Sequence, residues 1–234
     1  MLFLKKITSS DVRRVIPRIN WQSGTIYEMY KNNYSSTNRT SQTATSGLYG
    51  SNYYILTSEF KVYLCINNGS DPENPKGKTS KFEPTHTSTT VPAADNTATG
   101  DGYQWKYLYT IAPADIVKFV TTSYIPLPEK WGDVSTKAIK DAAVDGKLET
   151  IVIKRRGTAT VDGVDGDISG IPIIGDGTGG TATVKVSKGV VSEIKLSNTN
   201  SSGYTYAHVR FVNGTWGNNQ QLVVGTLTDE PQFE

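Results

Sequence analysis

Between Gly100 and Trp131 the chain reads GDGYQWKYLYTIAPADIVKFVTTSYIPLPEKW, and no other stretch limits its folding so tightly. A Gly-Asp-Gly turn signal opens it. Tyr103, Trp105, Tyr107, Tyr109 and Ile111 then fall on one side of a strict alternation, with Gln104, Lys106, Leu108 and Thr110 on the other. A period of two is that of a half-buried strand, and aromatics favour strands. Pro113 suits the first position of a short helix running to Val120, because its missing N–H is an orphan there in any case. Tyr124, Ile125, Pro126, Leu127 and Pro128 close the stretch, with Trp131 beyond. Four aromatics on one strand face make a wide apolar slab. Such a slab must lie against another layer or a partner protein.

The stretch resembles the baseplate wedge subunit of contractile-tailed bacteriophages, the one that dimerises within each wedge. The residues that carry the resemblance are Gly100-Asp101-Gly102-Tyr103, Trp105, Tyr107-Leu108, Ile111, Pro113, Asp115, Tyr124-Ile125, Pro128 and Trp131-Gly132. Val15-Ile16-Pro17-Arg18 with Trp21 is similar to the family's VIPR-x-x-W segment. Phe60 to Asn68 looks like its strand ending in a cysteine and an asparagine, here Cys65 and Asn67-Asn68. These matches keep the family's order over residues 12 to 132, and residues 133–234 do not align with it. Gly175-Asp176-Gly177-Thr178-Gly179-Gly180, the hairpin after it and Ser202-Gly203-Tyr204-Thr205 also resemble a small β unit common in phage tail proteins.

Composition speaks to the fold. Hydrophobic residues are 36% of the chain, with 13 Tyr and 22 Gly, which suits a β-rich, loop-rich protein better than a helical bundle. A net charge of +2 provides no electrostatic footprint for nucleic acid or a membrane surface. Lys154-Arg155-Arg156, the one dense basic cluster, reads as a solvated strand end. With a single cysteine, Cys65, there is no internal disulfide framework, which is consistent with synthesis in a reducing cytoplasm. No apolar run is long enough to span a bilayer as a helix, and residues 1–6 are too short an apolar stretch for a signal peptide.

Along the chain, residues 2–7 read as a strand and residues 11–15 as a short helix capped by Ser9 or Ser10 and stopped by Pro17. Residues 35–51 form a low-complexity polar loop. Residues 53–56 and 59–67 read as strands, the second with Phe60, Val62, Leu64 and Ile66 on one face. Residues 68–99 are a long polar excursion, read as an arm that gains order against a neighbour. Residues 135–144 form a short helix stopped by Gly146. Residues 148–154 form a strand, 181–187 and 190–196 a hairpin about Lys188-Gly189, and 204–212 and 221–227 two more strands. The expected architecture is mainly β, a β-rich α+β fold with antiparallel, sandwich-like sheets, a few short helices and long polar loops. Its expected domains are 1–147 and 148–234.

The chemistry of known sites finds little support. His86 and His208 are the two histidines, read as a solvent-facing loop residue and a strand-surface residue. Together with Cys65 they do not have zinc-ligand spacing. Neither is joined by a nucleophile elbow that would support a Ser-His-Asp triad. Asp162, Asp165 and Asp167, with Asp176 nearby, are carboxylates of the kind that ligate Ca²⁺. Their spacing is not that of an EF-hand, and Asp-Gly turns account for them. The run from Gly175 to Gly180 lacks the Lys-Ser/Thr of a phosphate-cradling loop and leads into a strand. No pair of carboxylates stands out for glycoside hydrolysis. Trp21, Trp105, Trp131 and Trp216 are candidates for sugar stacking, but positions in a strand face and beyond a proline corner suit core or interface burial better.

The expectation is therefore a structural component of a phage baseplate wedge, with no catalytic, cofactor or metal residues. The resemblance implies a homodimer that contacts other wedge proteins in the virion, with no nucleic acid, membrane or small-molecule partner. The rival reading is a carbohydrate- or receptor-binding β module of a phage tail, which predicts a row of exposed aromatics. The resemblance also implies an additional segment ahead of residues 2–7. The chain is accordingly expected to be a fragment or a shorter relative, with exposed apolar faces in isolation.

Overall fold

The computed structural model describes residues 4–31, 37–38, 50–94, 99–156, 166–188, 190–197, 200–209, 214–216, 220–222 and 232–233, the last three stretches as backbone. The chain divides into two units, Met1–Asn68 with Thr79–Ala143, and Gly69–Lys78 with Val144–Glu234. The sheets are antiparallel and the helices few and short, as composition and alternation predict.

In unit 1 a 3-10 turn spans Ser9–Asp11, and the N–H of Thr8 donates to Asp11 Oδ2 at 3.1 Å. This single turn replaces the helix expected over residues 11–15. Val12 is already extended at φ −129°, and Val15–Pro17 form strand β1. β-branched side chains and a position just before proline both favour extended backbone, which outweighs the cap signal. The strand expected over residues 2–7 is also absent from its described part. Residues 4–7 form no ladder, and Leu4 and Ile7 are exposed. Residues 2 and 3 lie outside the described residues.

Strands β2 (Tyr54–Leu56), β3 (Lys61–Asn68) and β4 (Tyr103–Thr110) form one sheet in that order. Helix α1 (Pro113–Phe119) follows, then β5 (Tyr124–Pro126), which pairs with β1. Helix α2 (Lys137–Asp141) is shorter than the expected 135–144. The alternation of β4 resolves as read, with Tyr103, Trp105, Tyr107, Tyr109 and Ile111 all buried. In β3 the buried face differs from the expected one. Tyr63 and Cys65 are buried, whereas Leu64 and Ile66 are only partly so. The register slips between Val62 and Tyr63 and again between Cys65 and Asn67. Such bulges change which residues face inward.

The aromatic slab is internal to unit 1. Tyr103 stacks on Trp105 with centroids 5.3 Å apart, and Tyr27 meets Trp105 edge-on at 5.5 Å. Tyr63 meets Tyr107 edge-on at 5.7 Å. Edge-to-face and offset stacked pairs are the favoured arrangements of ring quadrupoles. A second cluster joins Leu56, Val62, Tyr109, Ile111 and Ile125, with Ile116 of α1 packed against it.

The excursion after β3 does not stand free. Its first part, Gly69–Lys78, groups with unit 2. Its second part lies against unit 1. Buried Ser80 accepts the Trp21 indole N–H at 3.1 Å, and Asp101 Oδ2 accepts the N–H of Lys81 at 2.8 Å. The Tyr63 hydroxyl donates to the His86 carbonyl. An arm awaiting a neighbour is therefore not what residues 79–94 form.

In unit 2, β6 (Ile153–Arg155) pairs with β13 (Gln232–Phe233). Strands β7 (Gly166–Gly175), β8 (Thr181–Ser187), β9 (Val190–Leu196) and β10 (Ala207–Val209) form a sheet in the order β10-β7-β8-β9. Strands β11 (Gly214–Trp216) and β12 (Gln220–Leu222) pair separately. The hairpin β8–β9 matches its expected bounds. The strand expected over residues 148–154 is reduced to β6. Strand β7 was not anticipated, because its Gly-rich sequence reads as turns. Ile168 and Ile171 are both buried on one face because the register slips between them, and Gly170 at φ +77° absorbs the slip.

Candidate functional site

Arg13 organises the surface of unit 1 where three segments meet: the approach to β1, helix α1 and the turn after β5. Its Nη1 donates to the carbonyls of Ser9 (3.2 Å) and Val12 (2.9 Å). Its Nη2 lies 3.4 Å from Asp115 and 3.6 Å from Glu129, and the guanidinium sits 5.4 Å over the Phe119 ring. A planar cation with five donors suits this many-sided role, which lysine does not fill. The Tyr109 hydroxyl donates to Pro126 O at 3.0 Å and the Leu127 N–H donates to Arg14 O at 2.8 Å, so the β5 turn is tied to both neighbours.

An open groove runs across this junction. Its wider end, about 680 Å³, is lined by Val12, Leu108, Leu127, Pro128 and Trp131, with Arg13, Arg14 and Glu129 at its margin. A narrower end of about 320 Å³ brings Asp115, Glu129 and Asp133 together with Arg13. Ser135 donates to Asp133 from its hydroxyl at 2.6 Å and its N–H at 3.0 Å, which holds that carboxyl below the usual carboxylate range and keeps it anionic. Large apolar side chains stand open here, with Trp131 51% and Val134 99% exposed. Trp131 is thus not in the core, which leaves the interface branch of the expectation for a residue beyond a proline corner. The groove itself was invisible in sequence because its walls are separated by about a hundred residues and joined by tertiary contacts to Arg13.

The residues singled out for chemistry are dispersed. In unit 1 the His86 Nε2–H donates to Trp105 O at 3.0 Å, while its Nδ1 accepts from the Ser88 N–H at 3.3 Å. It is a latch for residues 79–94 rather than a free loop residue, and burial lowers its pKa. In unit 2, His208 is exposed on β10 opposite Ile174. Asp162 and Asp165 lie outside the described residues, and Asp167 is exposed on β7. Asp176 is a turn clamp: it accepts from the Thr205 N–H at 2.9 Å and the Thr205 hydroxyl at 2.5 Å, bonds that lower its pKa. Among the described residues no group of three His, Cys, Asp or Glu is placed to hold a metal ion. Nor is any described helix long and apolar enough to cross a membrane. Trp105 is buried and Trp21 partly so, which removes both from any row of exposed aromatics.

Unit 1 thus pairs a buried aromatic face on β4 with an apolar groove that has an acidic end and an exposed Trp131. Residues 63–161 match the family model described as Phage-Gp8: Bacteriophage T4, Gp8. The matched stretch runs from β3 to just beyond β6 and includes the whole of β4 and its proline-led helix. It bears out the resemblance to the phage baseplate wedge subunit and supports a structural role in a baseplate wedge. No characterised protein and no solved structure matches the chain.

Proposed function

We propose that the chain is a structural, non-catalytic subunit of the tail baseplate wedge of a contractile-tailed phage. It is made in the host cytoplasm and incorporated into the virion. It acts through protein–protein contacts, pairing with a second copy of itself and binding other wedge proteins. Cofactors, nucleic acid, membrane and small-molecule substrates have no part in this reading. The observation that carries it is the family match over residues 63–161.

The physical division of labour follows from the core. The rings of β4 are consumed in rigidifying unit 1, so recognition falls to surface side chains such as Trp131 and Val134 and to the groove beside them. Exposed apolar groups rimmed by charge are the usual mark of a protein contact. Any change of baseplate shape would be biased only by contacts that differ between its states. Co-expression with the other wedge proteins of the same phage, followed by native mass spectrometry, tests the reading. A complex of defined stoichiometry containing two copies is expected. A monomer that binds none of them, or turnover of a glycan by the purified chain, contradicts it.

A further inference from the structure

The chain ahead of the first 3-10 turn carries two large apolar side chains that its own copy leaves exposed. Residues 4–7, Leu-Lys-Lys-Ile, form no helix or strand, and Leu4 is 84% and Ile7 73% exposed. Two apolar anchors therefore flank two ammonium groups. The groove of unit 1 offers the converse set. Leu127, Pro128 and Trp131 provide an apolar floor, and across the groove the carboxylates of Asp115, Glu129 and Asp133 face Arg13 and Arg14, with the acidic excess at the narrower end. Its volume of about 680 Å³ at the wider end is that of a site able to hold several side chains.

We propose that this groove receives residues 4–7 of a second copy of the chain. Leu4 and Ile7 then cover the apolar floor, while Lys5 and Lys6 face Glu129 and Asp133. Within one copy the segment is directed elsewhere. Lys5 Nζ lies 2.8 Å from Asp11, and Thr8 donates to Asp11 Oδ2 from both its N–H (3.1 Å) and its hydroxyl (2.8 Å). Seating the segment exchanges the Lys5–Asp11 pair for one with Glu129 or Asp133 of the other copy. Exchange in both directions makes the contact twice about a twofold axis, which offsets the small size of each half. The inference rests on the assembly reading above and assigns one of its contact sites. Charge complementarity sets the direction of the segment, and apolar cover supplies the affinity.

The test uses the full chain. One preparation carries Leu4→Cys and another Val134→Cys, both at exposed positions, while the native Cys65 is buried. Mixed under mild oxidation, they should form a disulfide between unlike copies. A Tyr206→Cys partner, at an exposed site in unit 2, should not. By sedimentation, Leu4→Glu with Ile7→Glu should weaken self-association at least about tenfold. Glu129→Lys should weaken it likewise, and adding Lys6→Glu to Glu129→Lys should restore it. Loss of co-purification with other wedge proteins would count against the assembly reading instead, so the two failures are distinguishable. Absence of a disulfide between the Leu4→Cys and Val134→Cys copies, self-association unchanged by Leu4→Glu with Ile7→Glu, or a wild-type chain that stays monomeric would overturn the proposal.

Discussion

The Tyr204 hydroxyl accepts the Gly180 N–H at 3.2 Å, and its ring lies flush on the turn that precedes β8. A Cβ at Gly177 would stand 2.4 Å from two atoms of that ring. Gly146 combines φ +64° with a Cβ position 2.2 Å from the Tyr204 N. The glycine run and the Ser-Gly-Tyr-Thr step are therefore one packing unit. Gly177→Ala is expected to destabilise unit 2 by about 1–3 kcal/mol through overpacking, read as a lowered denaturant midpoint. An unchanged midpoint would mean the ring is not seated there. His86 supplies a pH test at the same scale. Burial lowers its folded pKa, so below the unfolded value of about 6.5 the unfolded chain binds the extra proton and stability falls. That contribution is present above about pH 6.5 and is lost as the pH drops through the folded value. The denaturant midpoint of the wild type should decline between pH 7.5 and 5.5, and His86→Gln should flatten the decline. Asp71, Asp133 and Asp176, whose pKa values are lowered, lose their contribution as the pH falls from the ordinary carboxylate value through their folded ones, well below the range where His86 acts.

At the scale of elements, β4 carries unit 1. Trp105→Ala should cost about 3–5 kcal/mol, measured by chemical denaturation, because a buried ring stacked on Tyr103 and met edge-on by Tyr27 is removed. A loss below about 1 kcal/mol would show that the face is not a core. The strand, its proline-led helix and the β8–β9 hairpin were legible in sequence because local period and turn chemistry agree with the fold there. Strand β7 was not, because a bulge at Gly170 breaks the period of two and glycines resemble turns. The face of β3 was misassigned for the same reason, a register slip that no alternation rule contains. The helix expected after Ser10 lost to strand pairing of β1 with β5, a partner over a hundred residues away. Of the groove, sequence reading named Leu108, Tyr109, Asp115, Leu127, Pro128 and Trp131, as parts of the strand, helix and proline stretch rather than as one surface. Arg13 escaped it, since an arginine between polar and β-branched neighbours gives no local sign of the Asp115 and Glu129 it will meet.

For the whole molecule, the chain leaves unit 1 at Asn68 and returns at Thr79, and the intervening loop belongs to unit 2. Arg156 holds that loop through Nε and Nη2 to Glu73, at 2.9 and 2.8 Å, and donates to Val191 O and Ser192 O at 3.0 and 2.7 Å. A bidentate guanidinium–carboxylate pair is specific in a way a lysine pair is not. Arg156→Lys should leave the melting of unit 2 within about 1 kcal/mol but speed proteolytic cleavage within residues 69–78, because the Glu73 side is largely exposed. Unchanged cleavage would assign no holding role to the pair. The most direct measurement of the central claim is native mass spectrometry of the chain co-expressed with the other baseplate wedge proteins of its phage. The account predicts a stoichiometric complex containing this chain. A chain that remains alone at concentrations where the other wedge proteins assemble would contradict it.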